Sequence, residues 1–355
     1  MRNARLLLIA MAAAAVTAAA SPASAQKTLK VVQHSDIKVI DPIWSSAYIV
    51  RNHGYLIYDT LFALDARLQP QPQMAESLVM SEDGLTATIR LRDGLNFHDG
   101  KPVTAEDCIA SLKRWAARDS MAQKLSDFIA AYKIVDDKTF QIVLKEKYGA
   151  LLETLAKQSG VAPFIMPKRV AETDPFKQIG ESIGSGPFMF KADEWKPGDR
   201  TVYVKNPAYK PRSEPASGLA GGKVALVDRI EMIWIPDAQT QVNALKQGEI
   251  DMIESVPHDL LPAIEKDANI RLIKSIGSLQ YTFRPNWKIK PFDNPKIRQA
   301  AIIALDQHDF LAAAIGDSRF YATCKALFTC KTPLASESGM ADMLNGNSAK
   351  AAALL

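Results

Sequence analysis

Residues 96–115, NFHDGKPVTAEDCIASLKRW, gather a histidine, carboxylates, lysine and a cysteine, the residue types from which metal sites and acid–base centres are built. Their spacing argues for something else. His98 and Asp99 are adjacent in sequence and are not expected to converge on one ligand. Thr104, followed three positions later by Asp107, has the form of a capping box with Asp standing in for Glu, and Val103 and Cys108 occupy the hydrophobic-staple positions. Ile109, Leu112 and Ala116 continue an apolar helical face. The stretch is therefore predicted to be a strand–turn–capped-helix junction.

Other candidate chemistry fails on context. Gly180-Glu181-Ser182-Ile183-Gly184 matches G-x-S-x-G, but a nucleophile elbow needs a strand before it and a helix after it. Here TDPFKQ precedes, and GPFMF, a strand pattern, follows. The histidines His34, His53, His98, His258 and His308 occur singly, without H-x-x-x-H or H-E-x-x-H spacing. Gly184-Ser185-Gly186 lacks the Lys-Ser/Thr and the helix of a phosphate loop. No catalytic residue, metal ligand or cofactor is predicted.

The elements that surround these residues carry more information. Arg2 and Arg5 precede an uncharged apolar run over residues 6–20, and Ala23-Ser24-Ala25 supplies the small-x-small pattern of a signal-peptidase site. The chain is expected to be exported and cleaved after Ala25. The run is short for a membrane span, which wants about 20 apolar residues. Lys and Arg number 43 against 39 acidic residues. Without Arg2 and Arg5 the balance is 41 against 39, a net of +2, too even to imply nucleic acid or a membrane surface as partner. Cys324 and Cys330, six apart in an exported chain, are expected to form a small-loop disulfide. Cys108 is expected to be a buried free thiol.

Along the chain, LKVVQ (29–33) reads as a buried first strand. The stretch that follows places Tyr48, Ile49, Tyr55, Leu56, Tyr58 and Leu61 on a helix interrupted near Gly54. LTATIRLR alternates with Leu85, Ala87, Ile89 and Leu91 on one face, and YKIVDDKTFQIVLK reads as a hairpin about Asp136-Asp137-Lys138. Residues 230–253 read as strand–helix–strand, with Asp237 the N-cap, Val242 and Leu245 the buried face and Gly248 the stop, so that the two strands pair in parallel. RLIKSIGSLQYTF predicts a further strand. DNPKIRQAAIIALD predicts a helix opened by Asp293 or Asn294 with Pro295 at its first turn, burying Ile297, Ala301 and Ala304. SAKAAALL begins a helix without a cap after it, which reads as a truncated end.

In order, TATIRLRDGLNFHDGKPVTAEDC, GSGPF, VKNPAYK with VDRIEMIWIPD, ALKQGEIDM and PFDNPKIRQAAIIALDQ resemble the extracellular solute-binding proteins of ABC importers, peptide/nickel type, solute-binding family 5. The blocks run from about residue 30 to 337. The resemblance implies an α/β, type II periplasmic-binding-protein clamshell of two lobes with an inserted α+β subdomain. It implies lobe I from residues 26–63 and 175–268, the inserted subdomain from 64–174, and the start of an incomplete lobe II from 269–355. It also implies a monomer in the periplasm that carries a small-molecule ligand, a peptide first among the classes, to ABC permease subunits. The acid that anchors a peptide's amino terminus in this family usually lies beyond the last residue of this chain.

By resemblance, Asp36, Ile37 and Lys38, just after the first strand, face the ligand backbone, and Ser255, after the GEIDMI strand, does likewise. Trp44 and Tyr48 are further cleft candidates. Tyr281, Asn286 and Trp287, at the start of lobe II, are candidates for hinge or aromatic contacts, with a core position the alternative for Trp287. Two other classes stay open. A secreted hydrolase requires a Ser–His or paired-acid geometry around Ser182, and a sensory or chaperone-like module could use the same fold.

Overall fold

The computed structural model describes residues 26–274 and 280–355. The export signal and cleavage site expected from the sequence lie outside the described residues. Strand β1 (Thr28–Val32) buries Val31 and Val32 and sits inside a five-stranded sheet. It pairs in parallel with β10 (Arg229–Ile233) on one side and β11 (Met252–Ile253) on the other. Antiparallel to β10 runs β9 (Arg200–Lys205), and beyond it lies β8 (Phe188–Phe190). The order is β11-β1-β10-β9-β8.

The strand–helix–strand unit predicted for 230–253 is present. Asp237 caps the helix Ala238–Gln247 by accepting the Thr240 N–H at 2.7 Å, and Gly248 ends it at φ 72°, a conformation that a glycine reaches without Cβ strain. Its two strands do not pair with each other, however, because β1 lies between them. Periodicity marks a segment as a strand of a sheet, but it does not say which strand lies next to it.

A two-stranded ribbon, β2 (Phe62–Leu64) with β3 (Pro70–Pro72), leads into a second sheet. There β4 (Ala75–Met80), β5 (Thr86–Leu91), β7 (Thr139–Leu144) and β6 (Ile129–Asp136) follow one another in the order β4-β5-β7-β6, all antiparallel. Alternation puts Ala87, Ile89 and Leu91 of β5 and Phe140, Ile142 and Leu144 of β7 on the buried face, as their period-2 pattern requires. Cys108, Leu112 and Trp115 of the helix Ala105–Ala116 belong to the same core, and the Trp115 Nε1–H donates to the Val161 carbonyl at 2.9 Å. This core is continuous with that of the first sheet through Val31, Tyr203 and Ile230.

The capping box is formed as read. Asp107 Oδ2 accepts the Thr104 N–H at 2.9 Å while Thr104 Oγ1 accepts the Asp107 N–H at 3.4 Å. Such a cap contributes about 1 kcal/mol. Cys108 is a buried free thiol whose pKa burial pushes up, which keeps it protonated and inert. Cys324 and Cys330 are joined, with their Cα atoms 5.7 Å apart.

Three readings of the sequence are corrected. The helix Tyr48–Ile57 runs unbroken through Gly54; a Cβ there would lie 2.6 Å from the Phe164 ring, so glycine serves helix packing and not an interruption. Arg271–Lys274 and Tyr281–Phe283 are not in strands, while residues 275–279 lie outside the description. An extended segment needs a partner for its N–H and C=O groups, and among the described residues these have none in a sheet. The helix Pro295–Ala304, capped by Asn294 with Pro295 at its start, buries Ala300 and Ile303 against Ala351 of the helix Ser348–Ala352. Ile297 and Ala301 are half-buried, and Ala304 is exposed. The covering helix decides which face is buried, and the spacing of apolar residues left neighbouring faces open. Among the described residues no helix is long and apolar enough to cross a membrane.

Candidate functional site

β1, β10 and β11 are parallel, so their carboxyl ends lie on one edge of the first sheet, the side on which open α/β sheets place their ligands. The chain leaves β1 as Gln33-His34-Ser35-Asp36-Ile37-Lys38 and leaves β11 as Glu254-Ser255. The Glu254 N–H donates to the Val32 carbonyl at 2.9 Å, which extends the pairing of the two strands to this edge.

A polar network then spans three segments. Glu254 Oε2 accepts the His34 N–H at 3.1 Å and lies 2.8 Å from His34 Nδ1, which donates to it. Glu254 Oε1 accepts Asn52 Nδ2 at 2.9 Å. Asn52 Oδ1 in turn accepts an Arg51 Nη2 proton at 3.1 Å, and the Arg51 guanidinium carbon sits 4.3 Å from the centre of the Tyr48 ring, in cation–π contact. Tyr48, Arg51 and Asn52 lie in the first turns of the helix Tyr48–Ile57. His34 and Glu254 are partly exposed, and Tyr48 is 47% exposed, so the network faces solvent.

The predicted positions fall into two groups. Asp36 accepts the Gly198 N–H at 2.9 Å, and Trp195 Nε1 donates to the Ile37 carbonyl at 3.3 Å, so residues 195–198 pin the segment after β1. The Ile37 side chain packs with Ile49 and Val50, so it does not face a solute. Lys38 and Ser255 are exposed. Trp44 is turned toward the inserted region, where its Nε1 donates to the Phe176 carbonyl and its own carbonyl accepts from Arg118 at 2.8 Å. Tyr281 and Asn286 are exposed, and the Asn286 side chain accepts the Lys288 N–H at 3.1 Å. Trp287 is 65% exposed among the described residues.

Sequence reasoning passed over His34, Arg51, Asn52 and Glu254. The Tyr48–Arg51 spacing of three within one helix was the available signal. The contact between His34 and Glu254 joins residues 220 positions apart and had none.

His98 meets the G-x-S-x-G segment through backbone groups. Both ring nitrogens of His98 meet backbone: Nδ1 accepts the Gly184 N–H at 3.3 Å and Nε2 donates to the Gly186 carbonyl at 3.2 Å. Burial pulls its pKa down to about 4. No hydrogen bond joins Ser182 to a histidine among the described residues, and the G-x-S-x-G segment is coil followed by β8. His53 lies on the buried face of the helix Tyr48–Ile57, its Nδ1 2.8 Å from the Tyr203 hydroxyl, and burial lowers its pKa from 6.5 to about 3. A depressed folded-state pKa means that the unfolded chain takes up the proton first. The stability tied to neutral His53 is complete above about pH 6.5 and drains away as pH falls toward 3, at about 1.4 kcal/mol per pH unit. Urea unfolding at pH 6, 5 and 4 is expected to show a slope steeper than that, since buried His98 adds to it with the same sign. The slope is expected to fall by about 1.4 kcal/mol per pH unit in His53→Gln; equal slopes in the two proteins would place His53 in contact with water.

A family model described as bacterial extracellular solute-binding proteins, family 5 middle, matches residues 69–355. A probable peptide ABC transporter periplasmic-binding protein from Sinorhizobium fredii is 42% identical over 310 residues, which make up 86% of this chain and 57% of that protein. The chain thus spans little more than half of that relative's length. Among solved structures, the periplasmic binding protein AgaA of A. tumefaciens R10, in complex with agropinic acid, superposes with a TM-score of 0.74 at 25% identity over 92% of this chain and 63% of that one. DppA of Helicobacter pylori, a periplasmic binding protein in complex with the peptide STSA, superposes with a TM-score of 0.72 at 23% identity over 93% and 66%.

Proposed function

The chain belongs to the bacterial extracellular solute-binding proteins, family 5, and on that premise we propose that it is the substrate-binding component of an ABC importer, taking up a di- or oligopeptide or a similar small solute and handing it to the permease. The single observation that carries this reading is the open polar network at the carboxyl edge of β1 and β11. Such an edge is where α/β sheets place ligands. The basic start, apolar run and Ala23-Ser24-Ala25 support export to the periplasm with cleavage after Ala25.

Residues 26–63 and 175–268, with 64–174 inserted, form one jaw in this reading, and the chain from 269 begins the other. Closure of two jaws buries the solute, excludes water and creates the surface that the permease recognises. The backbone of residues 36–38 and Ser255 would line the first jaw, with Tyr48 offering an aromatic face and Tyr281, Asn286 and Trp287 approaching from the second. Micromolar capture needs only about 8 kcal/mol, which backbone hydrogen bonds and water-filled side pockets supply without strict side-chain selection.

The test is mass spectrometry of solute co-purified with the exported protein, followed by denaturant titration with a panel of dipeptides. A dipeptide at 100 times its dissociation constant is expected to add about 2.7 kcal/mol of stability. Stabilisation by another solute class and by no peptide overturns the peptide assignment; no solute bound by either method overturns the receptor reading.

A further inference from the structure

We infer that Arg51 is the carboxylate anchor of this site, so that the solute carries a free carboxylate seated against the helix Tyr48–Ile57. The inference rests on the receptor reading above and goes beyond it in naming the ligand group and the residue that selects it.

A guanidinium is charged at every physiological pH and offers five N–H donors in one plane. Among the other partly buried arginines, Arg212 meets Glu214 and Arg229 meets Glu194 and Glu231, while Arg92, Arg118 and Arg298 donate to backbone carbonyls. Arg51 is half-buried and has no acidic side chain within ion-pair distance among the described residues. It is nevertheless held in place. One face of its plane lies on the Tyr48 ring at 4.3 Å, and one edge is bonded to Asn52 Oδ1.

Asn52 is oriented by its second bond, the Nδ2 donation to Glu254 at 2.9 Å, which turns its oxygen toward Arg51. Glu254 is not in direct ion-pair contact with Arg51 but is linked to it through the Asn52 amide, and it accepts the His34 ring and backbone N–H as well. The result is an ordered cation, half open to solvent, with most of its donors left over. A planar acceptor of matching fork geometry fills that vacancy best, and a carboxylate is such a group. The network contains one uncommitted cation, so a phosphate's second charge would go unmatched.

Tyr48 has a positioning role here. Its ring fixes the plane in which the fork points, and lysine at position 51 could neither stack in that way nor bind in two-pronged fashion.

The experiment is calorimetry of the protein with the dipeptide Ala-Phe and with its C-terminal amide, in wild type, Arg51→Gln and Arg51→Lys. Wild type is expected to bind the acid roughly tenfold or more tightly than the amide, as charge-assisted pairing implies. Arg51→Gln brings the ratio to about one, and Arg51→Lys falls between. Equal binding of acid and amide by wild type, or a ratio kept in Arg51→Gln, overturns the anchor while leaving the receptor reading intact. Should neither dipeptide bind, the Arg51 Nε–Hε resonance followed during titration with succinate, against sodium chloride at equal ionic strength, decides. A shift specific to succinate supports the anchor even as the peptide assignment fails, and its absence overturns the anchor as well.

Discussion

Asp41→Ala is expected to lower the stability of the protein by about 3–5 kcal/mol, the usual cost of stranding one partner of a buried ion pair. Asp41 and Arg114 are 0% exposed at the side chain, and Asp41 Oδ2 lies 2.7 Å from Arg114 Nη2. The carboxylate also accepts the N–H groups of Ile43 and Trp44 on Oδ1 and of Ile179 on Oδ2, each at 3.0 Å. The guanidinium donates to the carbonyls of Thr173, Asp174 and Lys177. One pair thus ties the loop before the helix Tyr48–Ile57, the helix Ala105–Ala116 and the chain that returns from the inserted region.

Asp41→Asn is expected to be nearly as damaging. Its Oδ1 can still serve Ile43 and Trp44, but its NH2 then opposes the donors of Arg114 and Ile179. The double replacement Asp41→Leu with Arg114→Met is expected to recover part of the loss, because apolar residues of similar volume often substitute for a buried pair at little cost. Urea midpoints measured at constant m-value report these differences. A loss of less than about 1 kcal/mol in Asp41→Ala, the range of exposed pairs, would mean that water reaches the pair.

Gly184→Ala is expected to cost about 3 kcal/mol or more, beyond the ordinary range of overpacking, because the obstacle is backbone. A Cβ at position 184 would lie 1.8 Å from the Ile57 carbonyl oxygen and 2.6 Å from its carbon. That carbonyl ends the helix Tyr48–Ile57 and accepts the Gly186 N–H at 3.0 Å. Gly184 also exchanges hydrogen bonds with His98, donating to its ring and accepting its backbone N–H at 2.8 Å. Any shift that relieves the clash disturbs both junctions.

Gly180→Ala is the control. A Cβ there meets nothing within 4 Å, and its effect is expected to stay within about 0.5 kcal/mol. The contrast assigns a role to the glycines of a motif that resembles a nucleophile elbow: Gly184 is bare so that two backbones can touch. If the two variants have the same urea midpoint, the close approach at Gly184 is not formed in solution.

The family and its α/β, type II binding-protein fold were legible through the resemblance of ordered blocks to family 5, while the individual helices and strands within those blocks were legible from local physics. Thr104 with Asp107, Asp237 with Gly248, and Asn294 with Pro295 stop and start helices through bonds made within a few residues. Ala87, Ile89 and Leu91 share a face because a strand repeats every two residues, whatever lies above it. Those features needed no knowledge of the rest of the chain.

The tertiary structure alone decided what covers each face and which ends meet. β1 inserts between β10 and β11, Phe164 fills the space left by Gly54, and Ser348–Ala352 selects Ala300 and Ile303 from the several faces that Pro295–Ala304 offered. The candidate site is the extreme case. Arg51 acquires its setting only when the fold brings Glu254, 202 positions from Asn52 along the chain, from the end of the neighbouring strand β11 into contact with His34 and Asn52. Periodicity is a property of neighbours along the chain. Whether a charge is paired is a property of neighbours in space, settled by which strands the core brings together.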